Sequence, residues 1–179
     1  MMLQMEQLVL ENQKDLDAVK EEYRQTCLNN AKTISYMIRQ NPEIMTDTDE
    51  LYKLASYVQV DEVHFFDKDG YIFAGTHPEY YGLSMDSGEQ ISFFKPLLLD
   101  KSLALCQDVT SNTAVEKPMQ YSALWDESGQ YIIQIGMNPT SIMKVTEKNE
   151  LSYIFSLLRV NTDANLGFNK KTGKLSCHH

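Results

Sequence analysis

Four histidines, three cysteines and scattered carboxylate pairs are the side chains best able to do chemistry here. His64 falls in a stretch that reads as a strand and His77 in a loop. Neither has an i, i+4 partner or a nearby Cys at ligand spacing, so no metal site is expected. Asp67-x-Asp69-Gly70 resembles the start of a calcium loop, but the twelfth position is Pro78, where the loop needs a bidentate Glu. A hairpin turn accounts for the motif better. Cys27, Cys106 and Cys177 are far apart and lack C-x-x-C spacing, which excludes a disulfide framework and a zinc knuckle. A single bridge stays open, and with it the redox compartment. No serine sits in a G-x-S-x-G elbow, and neither phosphate-cradling glycine motif occurs. The lone Trp125 and unpaired histidines carry no haem or flavin signature. The segment therefore reads as a non-enzyme without a cofactor, and His178-His179 as either native sequence or the remains of an affinity tag.

What remains is a binding pocket, which needs an apolar lining and a few aimed polar groups. The candidate ligand-binding residues are Tyr71, Phe73, Tyr81, Phe93, Lys95, Gln107, Tyr121 and Trp125, with Tyr80, Phe94 and Gln134 in the wider set. Any one aromatic among them is as readily explained as core. The charge balance narrows the partners: 16 basic against 25 acidic residues leave a net charge of -9, which opposes a phosphate backbone. Lys170, Lys171 and Lys174 read as a solvated hairpin tip, so nucleic acid is excluded as a partner. No stretch approaches the ~20 apolar residues of a membrane span, and the start carries no signal-peptide pattern. The sequence reads as a segment of a longer protein.

The elements that must position these residues follow from periodicity. Glu6 to Gln40 contains no Gly or Pro, and Leu16, Val19, Tyr23, Cys27, Ala31, Ile34 and Ile38 recur every three or four residues. That predicts one helix ~50 Å long at ~1.5 Å per residue, ended by Asn41-Pro42. Its second half should pack on a sheet, while its polar first half suits a stalk or a surface for a second copy. Asp47 caps a short helix with Leu51, Leu54, Ala55 and Val58 inward. Val60–Phe66 and Tyr71–Gly75 flank Asp67-Lys68-Asp69-Gly70 as a hairpin. A helix from Glu89 to Asp100 should be split by Pro96. Ala104–Val109, Met119–Trp125 and Tyr131–Met137 read as strands, and Ser141 to about Leu158 as a closing helix. The fold class is α+β: a long N-terminal helix on an antiparallel sheet of about five strands.

The last residues repeat an earlier pattern. Phe65-Phe66-Asp67-Lys68-Asp69-Gly70-Tyr71-Ile72 returns in kind as Gly167-Phe168-Asn169-Lys170-Lys171-Thr172-Gly173-Lys174-Leu175. The series of long helix, Asp-Lys-Asp-Gly hairpin, His77-Pro78, Gly82, helix, returning strands and second hairpin resembles the PAS-like extracytoplasmic Cache domain, in its double form. The resemblance covers about Glu6 to Cys177. It implies the sensor of a bacterial chemoreceptor, sensor histidine kinase or diguanylate cyclase, held in the cell membrane by flanking segments and passing ligand binding through its long helix. The implied domains are a signalling helix (1–42), a membrane-distal module (43–140), a connecting helix (141–160) and a truncated second module or tag-bearing tail (161–179). A homodimer through the N-terminal helix is a further expectation. The alternative is a non-catalytic dimerisation or protein-interaction module with no small ligand. Amino-acid-binding members carry an Arg-x-Trp-Tyr type motif; here Ile91-Ser92-Phe93-Phe94 lacks the Arg that clamps a carboxylate, so an amino acid is not the default ligand.

Overall fold

The computed structural model describes residues 2–111, 118–140, 166–169 and 174–177. Its contacts divide the chain into two units, Lys20–Thr140 and Met1–Val19 with Ser141–His179. One helix, α1 (Met2–Gln40), supplies residues to both. In the second unit, β7 (Leu166–Asn169) pairs antiparallel with β8 (Lys174–Cys177), with Phe168 opposite Leu175. This is the hairpin expected from the repeat. The expected closing helix from Ser141 and the turn at 170–173 lie outside the described residues.

In the Lys20–Thr140 unit, five strands form one antiparallel sheet. They are β1 (Glu62–Phe66), β2 (Ile72–Gly75), β3 (Ala104–Cys106), β5 (Pro118–Trp125) and β6 (Ile132–Met137), in the order β2-β1-β6-β5-β3. A two-residue strand not foreseen from the sequence, β4 (Thr110–Ser111), pairs with the start of β5. The sheet is covered on both faces, and strand alternation sorts the side chains. Val63, Phe65, Ile133, Ile135, Leu124 and Cys106 meet Cys27, Ala31, Ile34 and Ile38 of α1 and Leu51, Leu54 and Ala55 of α2 (Thr48–Val58). On the opposite face Phe66, Ile72, Met119, Tyr121, Ala123, Trp125 and Ile132 pack with Tyr80, Met85, Ile91, Phe94 and Leu97.

Local chemistry sets the boundaries of these elements. Asp47 caps α2 through Oδ1, which accepts from the amides of Asp49 and Glu50, both at 3.1 Å. The β1–β2 turn is held by Asp67, whose Oδ1 accepts from the amides of Asp69 and Tyr71, both at 2.9 Å. Gly70 closes it at φ +83°, a conformation that side chains disfavour. Asp126 serves the β5–β6 turn in the same way, accepting from the amides of Ser128, Gln130 and Tyr131. The predicted helix from Glu89 is split as expected into α3 (Glu89–Ser92) and α4 (Pro96–Leu99), with Pro96 opening the second. Between β1 and β2 the register shifts, so Phe73 is an unpaired bulge residue between the pairs Phe65–Ala74 and Phe66–Ile72.

Ile34 is fully buried under the sheet, whereas Leu10 on the same helix is 63% exposed. Ile34→Ala should lower unfolding stability by about 2–5 kcal/mol through the cavity it leaves. Leu10→Ala should change it by less than about 0.5 kcal/mol, both measured by urea denaturation.

Candidate functional site

On the sheet face away from α1, the strands place four polar side chains side by side in an apolar setting. Glu62 and His64 point there from β1 because they alternate with Val63; Gln134 comes from β6, where it pairs with His64, and Tyr121 from β5. All are buried, with exposures of 6% for Glu62, 2% for His64 and Gln134, and 1% for Tyr121. The Glu62 carboxylate accepts from the Tyr121 hydroxyl at 2.7 Å and faces His64 Nε2 at 3.3 Å through the same oxygen. Burial by itself pushes the Glu62 pKa up. The hydrogen bonds from His64 and Tyr121 and the charges of His64 and His77 outweigh burial, leaving the carboxyl below its ordinary value.

Tyr121 reaches Glu62 because its partner across the strands is Gly136. A β-carbon on Gly136 would lie 2.6 Å from the Tyr121 ring, so only glycine lets the ring lie over β6. Beside the carboxylate, Tyr80 stacks on His77 (5.3 Å between centroids, 10° between planes) and packs at 5.5 Å from His64. Thr76 anchors this loop to β1, its hydroxyl accepting from the Val63 amide at 3.0 Å.

These groups line a partly enclosed cavity of about 30 Å³, completed by Ile72, Leu83, Ser87, Gln90 and Ile91. Its size suits a water molecule. Among the described residues neither Lys nor Arg lines it. Two amide nitrogens in the lining, Nε2 of Gln134 and of Gln90, are buried without a hydrogen-bond partner among the described residues, as is Nδ1 of His64. Buried polar atoms are normally paired, so unmatched donors facing a cavity are groups that a bound molecule can satisfy. Among the described residues no group of three or more His, Cys, Asp or Glu is placed to hold a metal ion.

The structure separates the residues expected from sequence. Tyr121 lines the cavity, as do Tyr80 and Gln134 of the wider set. Gln107 is buried on edge residues beyond β3, its amide donating to Tyr121 O at 3.0 Å. Trp125 is buried with its indole N–H on Leu97 O at 2.7 Å and the Lys101 ammonium 4.2 Å above its ring. Tyr71, Phe73, Tyr81 and Phe93 are 41–48% exposed. Phe73 borders an open hollow with Tyr131 and the two hairpin turns, and Tyr81 pins Gly75, donating to its carbonyl at 3.0 Å. Lys95 forms an ion pair with Asp86. Sequence reasoning missed Glu62 and His64 as site residues. Their signal was present in the strict alternation Glu62-Val63-His64-Phe65, which puts an acid and a histidine on one strand face.

No family model matches the chain, and no curated protein does. Solved structures match in fold. The Bacillus subtilis YkuI protein, with an EAL domain and bound c-di-GMP and calcium, matches at TM-score 0.54 and 13% identity, over 81% of this chain and 37% of that one. The ligand-binding domain of the Campylobacter jejuni chemoreceptor Tlp3, in complex with 4-methylisoleucine, matches at 0.53 and 10%, over 79% and 60%. The sensor domain of the V. cholerae histidine kinase DctB matches at 0.51 and 15%, over 79% and 60%. The chain thus spans from under two fifths to three fifths of these structures. Among the described residues no helix is long and apolar enough to cross a membrane.

Two outcomes follow from this geometry. Gly136→Ala should displace Tyr121 and destabilise the protein by about 1–3 kcal/mol, with the Tyr121 ring signals shifting by NMR. Glu62 has a lowered folded pKa, so its stabilising contribution is present above the unfolded value and is lost as pH falls through the folded one. Stability measured by urea titration should therefore fall from roughly pH 4.3 downward, and less steeply in Glu62→Gln. The chain shares the α+β fold of the Tlp3 and DctB sensor domains, a long helix on an antiparallel sheet.

Proposed function

We propose that this chain is the small-molecule sensing part of an extracytoplasmic receptor, with its ligand held over Glu62, Gln134 and Tyr121. The observation that carries this reading is the buried polar cluster itself. A sheet serving only as a spacer gains nothing from a buried carboxylate beside two amide donors that are unmatched among the described residues. The fold shared with the sensor domains of Tlp3 and DctB supports the same reading. A membrane-anchored parent protein, with this segment outside the cytoplasm and a separate output domain, is part of the proposal.

The lining also indicates a ligand class. Among the described residues the lining presents the Glu62 carboxylate and no Lys or Arg, and the two glutamine amides offer donors. A small neutral or cationic solute bearing an acceptor for the amides fits better than a carboxylate. Entry requires Leu83, Ser87, Gln90 and Ile91 to move outward, because the closed cavity is water-sized. Since Glu62 and His64 alternate with Val63 and Phe65, a shift of β1 on the ligand side is felt by the α1 side chains on the other face. Transmission along α1, and into a second copy paired through it, is the proposed output.

Thermal-shift measurements with a panel of small amines, amides, polyols and dicarboxylates test the site. Neutral or cationic members should raise the melting temperature with the concentration dependence of a native-state ligand, and Glu62→Gln should weaken the response. Stabilisation by dicarboxylates alone would overturn the ligand class. Stabilisation by a solute that is indifferent to Glu62, Gln134 and Tyr121 substitutions would overturn the site.

A further inference from the structure

Cys27 and Cys106 meet on the helix side of the sheet, away from the ligand cavity. Both thiols are free, with exposures of 0% and 4%. Cys106 pairs in register with Ser122, and the Ser122 hydroxyl donates to the Cys27 carbonyl at 3.0 Å, so Cys27 sits directly over the strand beside Cys106. Gln120 touches both sulfurs: its carbonyl lies 3.8 Å from Cys27 Sγ and its Nε2 3.4 Å from Cys106 Sγ. Arg24, one helical turn from Cys27, donates to the Cys106 carbonyl at 2.9 Å and holds the two backbones together.

We propose that Cys27 and Cys106 are a disulfide-forming pair that fastens α1 to the edge strand β3. The two sulfurs have different acidities. The contact with Cys106 and burial push the Cys27 thiol up. The same contact pulls the Cys106 thiol down against its burial, with Gln120 and Arg24 adding to the lowering. Before the helix docks those contacts are absent, so either thiol, once deprotonated, attacks one sulfur of an external disulfide, forming a mixed disulfide and releasing one thiolate. The other cysteine, deprotonated in turn, attacks the sulfur of the first and releases the second thiolate. Two protons leave the cysteines and protonate the two leaving groups, so the protein loses two electrons and the external disulfide gains them. Both sulfurs are buried once α1 is docked, so exchange takes place before the helix closes over β3 during folding. The bridge restricts the unfolded chain and so raises stability.

The test uses the intact chain, unfolded with reductant and refolded in oxidised and reduced glutathione. The protein is then denatured without reductant, its free thiols are blocked with iodoacetamide, and the unreduced protein is digested and mapped by mass spectrometry. The expected result is a peptide pair joining Cys27 to Cys106, lighter by two hydrogen atoms than the separate peptides. The melting temperature should be higher than that of the reduced protein, and Cys27→Ala should abolish both effects. Refolded protein in which Cys27 and Cys106 both carry the blocking group would overturn the pairing, as would preferential linkage of either to Cys177. The Cys177→Ser chain, run in parallel, removes the third thiol, so blocked Cys27 and Cys106 there would overturn the pairing without any competing partner.

Discussion

The structure of the Lys20–Thr140 unit depends on one constraint: β1 and β6 lie at the centre of the sheet and are buried on both faces. Every residue of each is inaccessible or nearly so. A strand in that position cannot slip by one residue without exchanging its two sets of side chains. The register Val63–Ile135 and Phe65–Ile133 is therefore tied to His64–Gln134 on the other side. Packing of α1 and assembly of the polar cavity are two consequences of the same pairing.

That constraint explains why the polar cluster is tolerated. A buried carboxylate without partners is costly, and Glu62 has Tyr121 and His64 within reach because three adjacent strands deliver them to one place. Gly136 is the spatial condition for it, since the Tyr121 ring occupies the volume a β-carbon would take. The amides of Gln90 and Gln134 are the part of the cluster left unmatched among the described residues. The strands hold this cluster from beneath, and the segment carrying Tyr80, Leu83, Ser87, Gln90 and Ile91 covers it.

The helix side is built differently. There the contacts are mostly apolar, and at Cys27, Gln120, Ser122 and Cys106 a short polar seam joins α1 to β5 and β3. The seam lies where the sheet is narrowest, on a three-residue edge strand that needs covering. Arg24 adds a contact to the same strand and to Asp108 at 3.2 Å. Helix position and edge protection are thereby the same structural problem.

Local physics was legible in the sequence. The three-to-four spacing of Cys27, Ala31, Ile34 and Ile38 gave the helix face, Asp47 and Asp67 gave a cap and a turn, and Pro96 gave the split between α3 and α4. These depend on neighbours within a turn or two, so residue types suffice. Which aromatic residues face a cavity was not legible. Tyr121 and Trp125 lie on the same face of β5, yet one reaches a carboxylate and the other a backbone carbonyl of α4. Phe73 was placed outward by a bulge, and Lys95 was drawn to Asp86. The meeting of Cys27 with Cys106, and of Glu62 with Tyr121, joins residues distant in the chain. Strand order and register alone decide such encounters, because they are set by burial on both faces of the sheet at once and not by any local segment.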